Sequence, residues 1–276
     1  MIWRTCCRSL DLTQGGVVMG ILNATPDSFS DGGKYFHTKA ALARALEMVS
    51  EGAGIIDVGG ESTRPGAAAI SADEEIKRTV PLIKALRSES KVLISIDTSK
   101  VVVAEAAIEA GADIVNDVTG FCEQKMAQLC ASAGVGVCVM HMQGEPRTMQ
   151  RDPHYDSEGG VVAIVASFFQ ERLETLVSQG IDPQSICFDP GIGFGKTLEH
   201  NLELLRALGR LQHERPLLLG VSRKSFIASL TGEQDPEKRD AATGVITALA
   251  FDKGIRLHRA HDVKGAVNAL RIAQSF

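Results

Sequence analysis

At 276 residues, 44% hydrophobic and 23% charged, the chain has apolar material for one sizeable core and too much for extended disorder. Its formal net charge of −5 disfavours nucleic acid as main partner, since a phosphate backbone rewards a basic surface, but allows a small phosphorylated molecule held by local positive charge. No apolar run approaches the ~20 residues of a membrane span, and the opening MIWRTCCRSLDLTQGG lacks the apolar stretch of a signal peptide.

After a lead-in over residues 1–16, short apolar runs alternate with helical patterns. Strands are predicted at 17–22, 54–59, 92–97, 113–117, 136–140, 185–189, 217–221 and 255–261. Their near-continuous Val/Ile/Leu content is that of strands covered on both faces. Helices are predicted over roughly 39–51, from Ser71 onward, and over 101–110, 123–133, 160–179, 198–211, 239–253 and 263–274; Ser71-Ala-Asp-Glu74 fits a capping box. Eight strand–helix units with right-handed crossovers predict a single-domain α/β protein, a (β/α)₈ TIM barrel spanning 1–276, with an open doubly wound sheet as the alternative. The six cysteines form no CxxC pair and no zinc-like spacing with histidine, so they read as buried free thiols of a reducing cytoplasm.

Barrel active sites lie at the C-terminal ends of the strands, and there the unusual residues fall. The runs end, in order, in Asn23, in Glu61-Ser62-Thr63-Arg64-Pro65, in Asp97, in Asn116-Asp117, in Met140-His141, in Asp189, in Ser222-Arg223-Lys224 and in Arg259-Ala260-His261. One polar strand end is ordinary capping; eight are hard to explain by stability alone. Asp97, Asn116 and Asp189, with Lys224 nearby, suit a flat heterocycle with alternating donors and acceptors, because a carboxylate accepts two parallel N–H bonds from an amino edge. Asn23, Arg64, Arg259, His261 and the start of the last helix suit a diphosphate, which guanidinium groups and helix N-termini bind. GIGFGKT (191–197) is one residue short of a phosphate-binding Walker loop and misses GxGxxG by one position; its glycines read better as a loop that lets a ligand approach the backbone.

NATPDSFSDGG, ESTRPGA, SIDTSK, NDVTG, FDPGIGFGK, SRKSF and RAHDV, in this order and at these spacings, resemble the dihydropteroate synthases from about Val17 to the C-terminus. The resemblance implies joining of a dihydropterin methyl diphosphate to 4-aminobenzoate, with release of diphosphate and with Mg²⁺. It implies a pterin set of Asp97, Asn116, Asp189 and Lys224 with Met140 on the ring. Asn23 matches the magnesium ligand, and with Thr63, Arg64, Arg259 and His261 makes up the diphosphate side. Phe29, Thr63, Pro65, Phe194, Ser222 and Lys224 would surround 4-aminobenzoate. Asp97, Arg64, Lys224 and His261 are the implied catalytic residues. The loops after strands one and two close over substrates in the family. The first loop departs slightly, with Ala24 where many members have Val, and residues 1–10 match nothing functional.

Several plainer readings stand beside these. His261 reads alternatively as a core histidine or helix cap, and Phe29 and Phe194 as loop packing. Asp27 and Asp31 are divided between turn structure and ligand closure. Asp97 and Asp189 could cap helices. His141 reads as structural; His37 and His258 read as surface residues. Two rival functions are a pterin-binding barrel of cobalamin-dependent methyl transfer, which needs no Arg64 loop, and a catalytically dead pterin-binding scaffold, which would have lost Asn23, Arg64, Lys224 or His261. Small molecules are the expected partners. The family's usual homodimer is expected through the last two helices.

Overall fold

The computed structural model describes the chain except residues 14, 25–33, 63–68, 146–147, 156–158 and 212–214 and the side chains of 34–37. Eight parallel strands form one sheet: β3 (Val17–Asn23), β4 (Ile55–Gly59), β5 (Leu93–Asp97), β6 (Ile114–Asp117), β7 (Gly136–Met140), β8 (Ile186–Asp189), β9 (Leu218–Gly220) and β10 (Leu257–Ala260). β10 pairs with both β3 and β9, and a parallel bridge from Phe188 to Leu217 joins β8 to the β9 side. That closure excludes the open-sheet alternative.

Helices α1 (Lys34–Glu51), α2 (Ala72–Glu89), α3 (Val101–Glu109), α4 (Gln124–Ala133), α5 (Gly160–Ser178), α6 (Leu198–Leu211), α7 (Ser225–Thr231), α8 (Asp240–Asp252) and α9 (Val263–Ala273) surround the barrel. The Ser71 hydroxyl accepts from the Glu74 backbone N–H at 3.2 Å, so the predicted cap starts α2. α7, seven residues long, is an element the sequence pattern does not reveal.

The lead-in holds a second unpredicted feature, an antiparallel hairpin of β1 (Ile2–Arg4) and β2 (Ser9–Asp11). It closes the foot of the barrel. Trp3 is fully buried, and its indole N–H donates to the Ser185 carbonyl at 2.9 Å. Trp3 and Leu12 pack on Met19, Ile55, Leu93, Ile114, Cys138, Cys187, Leu218 and Leu257, one from each barrel strand. Trp3→Phe is expected to lower stability by about 1 kcal/mol, because the Ser185 carbonyl loses its buried donor. Urea unfolding checks this; unchanged stability would remove the hydrogen bond from the account.

That bottom layer sets the register of everything above it, since side chains alternate along a strand with period two. Two residues further on, the inward positions are Ile21, Asp57, Ser95, Asn116, Met140, Asp189, Gly220 and Arg259. Four on, they include Asn23, Asp97, Ser222 and His261. Most of the polar strand ends picked out in the sequence, though not Asp117, His141 or Arg223, therefore fall in the inward register, while the alternate positions along the strands form the apolar layer under the helices. His258 corrects an expectation: it is only 2% exposed, facing outward from β10 beneath the helices, with its Nε2 3.1 Å from the Ile255 carbonyl. Burial pushes its imidazole down to about 4. The cysteines split: Cys130, Cys138 and Cys187 are buried, but Cys6, Cys7 and Cys122 are exposed, contrary to the expectation of buried thiols.

Candidate active site

The mouth of the barrel is built around Arg259. Its Nε donates to Asp57 Oδ2 at 2.6 Å and its Nη2 to Asp97 Oδ2 at 2.7 Å; Asn116 Nδ2 also reaches Asp57 Oδ2, at 3.3 Å. These inward positions of β4, β5, β6 and β10 thus form one buried chain of charge and hydrogen bonds. The sequence places Arg259 with the diphosphate; in the structure its Nε and Nη2 also tie together two carboxylates. Asp57 escaped that reading, although a carboxylate inside the apolar run GIIDVG was the available signal.

Both Asp57 and Asp97 keep one oxygen, Oδ1, buried with no hydrogen-bond partner among the described residues. Desolvation raises the Asp97 carboxyl to about 7, opposed by Arg259 and reinforced by Asp57. Burial thus favours the protonated form of Asp97, and a ligand donor or a nearby positive charge would hold it ionised.

A second cluster sits across the mouth. Asp189 is buried, and its Oδ1 accepts from the Gly191 N–H at 2.7 Å. Gly220 lies between its partners: a Cβ there would be 3.5 Å from Asp189 Oδ2 and 3.9 Å from Lys224 Nζ. Burial raises the Asp189 carboxyl, with Lys224 pulling it back. Burial lowers the Lys224 ammonium to about 8, with Asp189 the main opposing influence. Lys224 also donates to the Ile192 carbonyl, and its Nζ lies 4.6 Å from the centre of the Phe194 ring. Phe194 and Lys224, both assigned to the arylamine side, thus come together.

The backbone that presents these groups is strained where it matters. Arg223, beside Lys224, adopts φ 60, an unfavourable conformation for a residue with a side chain. Its guanidinium is held by both oxygens of Asp240, at 2.8 and 2.7 Å, and its carbonyl by Arg239. Gly191 has φ +66, and a Cβ there would lie 1.8 Å from the His141 carbonyl, so only glycine fits the start of the 191–197 loop.

Ser222 and His261 also meet. Ser222 Oγ is 2.9 Å from His261 Nδ1 and accepts from the His261 backbone N–H at 3.1 Å. Sequence reading divided these two residues between the arylamine and the diphosphate. Met140 is buried at the end of β7, in the inward register. Asn23 ends β3 beside Gly59, where a Cβ would lie 3.8 Å from Asn23 Oδ1 and 3.9 Å from Asp97 Oδ2. One amide oxygen at the rim fits magnesium, which commonly takes one or two protein oxygens and completes its shell with phosphate and water.

Two further residues join the mouth without having been singled out. Lys196, 3% exposed, places Nζ 3.1 Å from His141 Nδ1 and donates to the Phe194 carbonyl at 3.0 Å. Burial lowers Lys196 to about 7 and His141 to about 3. At the base of the second loop, Lys100 bridges Glu61 and the buried Glu75. Phe29, Thr63, Arg64 and Pro65, with Asp27 and Asp31, lie outside the described residues.

A family model described as "Pterin binding enzyme" matches residues 19–261. The dihydropteroate synthase of Escherichia coli (strain K12) is 44% identical over 268 residues, 97% of this chain and 93% of that protein. The crystal structure of Yersinia pestis dihydropteroate synthase with a sulfonamide drug complex superposes with a TM-score of 0.92 at 43% identity, covering 100% of this chain and 98% of that one. Xanthomonas albilineans dihydropteroate synthase in complex with 7,8-dihydropteroate gives 0.88 at 38% identity, with 100% and 98% covered.

Proposed function

The chain belongs to the pterin-binding enzyme family, among the dihydropteroate synthases, and from that premise we propose how its barrel mouth carries the reaction. It is a transferase of folate biosynthesis that joins (7,8-dihydropterin-6-yl)methyl diphosphate to 4-aminobenzoate, giving 7,8-dihydropteroate and diphosphate. The observation that carries the mechanism is the pair of buried clusters facing one mouth. On one side Asp97, held by Arg259, keeps a buried oxygen with no donor among the described residues; on the other Asp189 sits beside Lys224.

In this reading Asp189 accepts the pterin's amino-edge N–H groups, Asn116 and Lys224 bind the rest of its polar edge, and Met140 packs on its face. The arylamine is a poor nucleophile, and the described residues of the mouth offer no obvious strong base to sharpen it. The C–O bond to diphosphate therefore breaks first and its electron pair leaves with diphosphate, while a ring nitrogen donates electrons into the CH₂ group. Asp97 stabilises the resulting cation. The amine nitrogen of 4-aminobenzoate then bonds to that carbon and releases its proton to solvent or to the departed diphosphate. Phe194, Lys224 and Ser222, with Phe29, Thr63 and Pro65, position the arylamine. Arg64, Thr63, Arg259 and His261 stabilise the leaving group, an electrostatic contribution aimed at developing charge. Magnesium, with Asn23 as its protein ligand, would neutralise the diphosphate.

The pterin diphosphate alone should thus release diphosphate slowly, with hydroxymethyl-pterin as product. Arg64→Ala should slow this release and the full reaction together. Release that depends strictly on arylamine, at a rate following the amine's nucleophilicity, would establish direct displacement instead. For the metal, excess chelator should suppress the reaction and added Mg²⁺ restore it; full activity in chelator rejects Asn23 as a metal ligand.

We also infer a homodimer through the last two helices. α8 and α9 pack together and leave Val245, Leu249 and Ile272 60–61% exposed, more apolar surface than two solvent-facing helices need. Six free cysteines support a cytoplasmic location.

A further inference from the structure

The foot of the barrel carries a cluster that the reaction at the mouth does not use. The turn between β1 and β2 is pinned by Thr5, whose backbone N–H and hydroxyl both reach the Arg8 carbonyl, at 2.7 and 3.0 Å. This turn presents Cys6 and Cys7, which are exposed, to Asp113, which is buried just before β6. Cys7 Sγ lies 2.8 Å and Cys6 Sγ 3.8 Å from Asp113 Oδ1, and the three ligand atoms all lie within 4.8 Å of one another.

The carboxylate is oriented for this. Its Oδ2 takes the Arg87 guanidinium and the Ile94 backbone N–H, the latter at 2.8 Å, leaving Oδ1 to the thiols. Such fixing of a ligand by its own outer partners is what metal sites require. Arg87 is fixed in turn by the Gly111 and Val92 carbonyls. In a tetrahedral zinc site, metal–sulfur and metal–oxygen bonds of about 2.3 and 2.0–2.2 Å place neighbouring S and O ligands about 3.5 Å apart. The two observed S···O distances bracket that value. The charges also balance: two thiolates and a carboxylate stand against a divalent cation and the Arg87 guanidinium.

We propose that Cys6, Cys7 and Asp113 bind one thiophilic divalent cation of the zinc and cadmium class, with solvent in the fourth position, and that it staples the N-terminal hairpin to the barrel wall. The hairpin carries Trp3, so the staple holds the floor of the barrel, at the opposite end from the proposed magnesium site.

Thiolates rather than thiols bind such a cation, so binding must expel two protons. Affinity should therefore rise about a hundredfold per pH unit near neutrality.

The test is titration of the full chain with Cd²⁺, read by thiolate-to-cadmium charge-transfer absorption, followed by displacement with Zn²⁺ and challenge with Mg²⁺. One equivalent should bind, Zn²⁺ should displace it and Mg²⁺ should not. Cys6→Ser or Cys7→Ser should weaken binding by about a hundredfold or more and the double variant should abolish it, whereas Cys122→Ser should leave it unchanged. Zn²⁺ should raise the melting temperature of the parent and not of the double variant. Absence of the charge-transfer band in the parent, its survival in the double variant or its loss in Cys122→Ser overturns the site. A bound equivalent that leaves the melting temperature unmoved overturns the staple. Should the double variant fail to fold, the parent and Cys122→Ser titrations still decide.

Discussion

Arg259→Met should cost roughly 3–5 kcal/mol of folding stability above neutral pH, and distinctly less in mild acid. Methionine keeps much of the arginine's bulk but leaves the buried Asp57 and Asp97 facing each other with no cation between them, after losing bonds of 2.6 and 2.7 Å. Breaking a buried pair from one side is the expensive case, because the remaining charge has neither water nor partner. The sign of the pH dependence follows from Asp97. Its carboxyl is raised from 3.8 to about 7 even with Arg259 present. Its contribution to stability is therefore fully present below 3.8 and is lost as pH rises through about 7. Removing the guanidinium paired with it moves it further up, so the deficit of the variant relative to the parent grows across the neutral range. Denaturant unfolding of parent and variant at about pH 5.5 and about pH 8 measures this. A deficit that is equal at the two pH values, or that grows in acid, would contradict the buried-carboxylate account.

Asp189→Asn should weaken pterin binding tenfold or more, roughly 1.5–3 kcal/mol for hydrogen bonds to a charged group. The replacement is nearly isosteric, and an asparagine oxygen can still accept from the Gly191 N–H, so the fold has little reason to change. What changes is the other half of the side chain: a carboxylate oxygen that accepts becomes an amide that donates, set against a ligand edge that also donates. Lys224 loses its nearest counter-charge at the same time. Because burial raises Asp189, pterin affinity in the parent should fall on acidification as the carboxylate takes up a proton, and the variant should lose that part of the dependence. Calorimetry with a pterin ligand at several pH values separates the cases. Unchanged affinity in the variant would sink the assignment of Asp189 to the ring edge.

Strand and helix order was legible because each element repeats its own period several times: apolar runs of four to seven residues in β3 to β8, and helical spacing over nine or more in all the helices but α7. α7 and the β1–β2 hairpin are too short to show a period. The polar strand ends were legible because a buried carboxylate or lysine is costly, and its position after an apolar run points to one end of a barrel. Period two also says which of them face inward.

What the sequence does not determine is which inward charges meet. Asp57 and Arg259 are 202 residues apart and join only because β10 closes against β3, and β3 against β4. That register set Arg259 against both carboxylates, a pairing that no local pattern announces. Closure likewise covered His258, since a barrel strand has no free face once helices pack outside it. The same holds at the foot, where no spacing rule links Cys6 and Cys7 to Asp113 more than a hundred residues on. Local periodicity, set by backbone geometry, thus determined the elements and the inward faces. The lateral pairing of charges was decided by tertiary structure alone, because it depends on strand register and barrel closure, which join residues far apart in the chain.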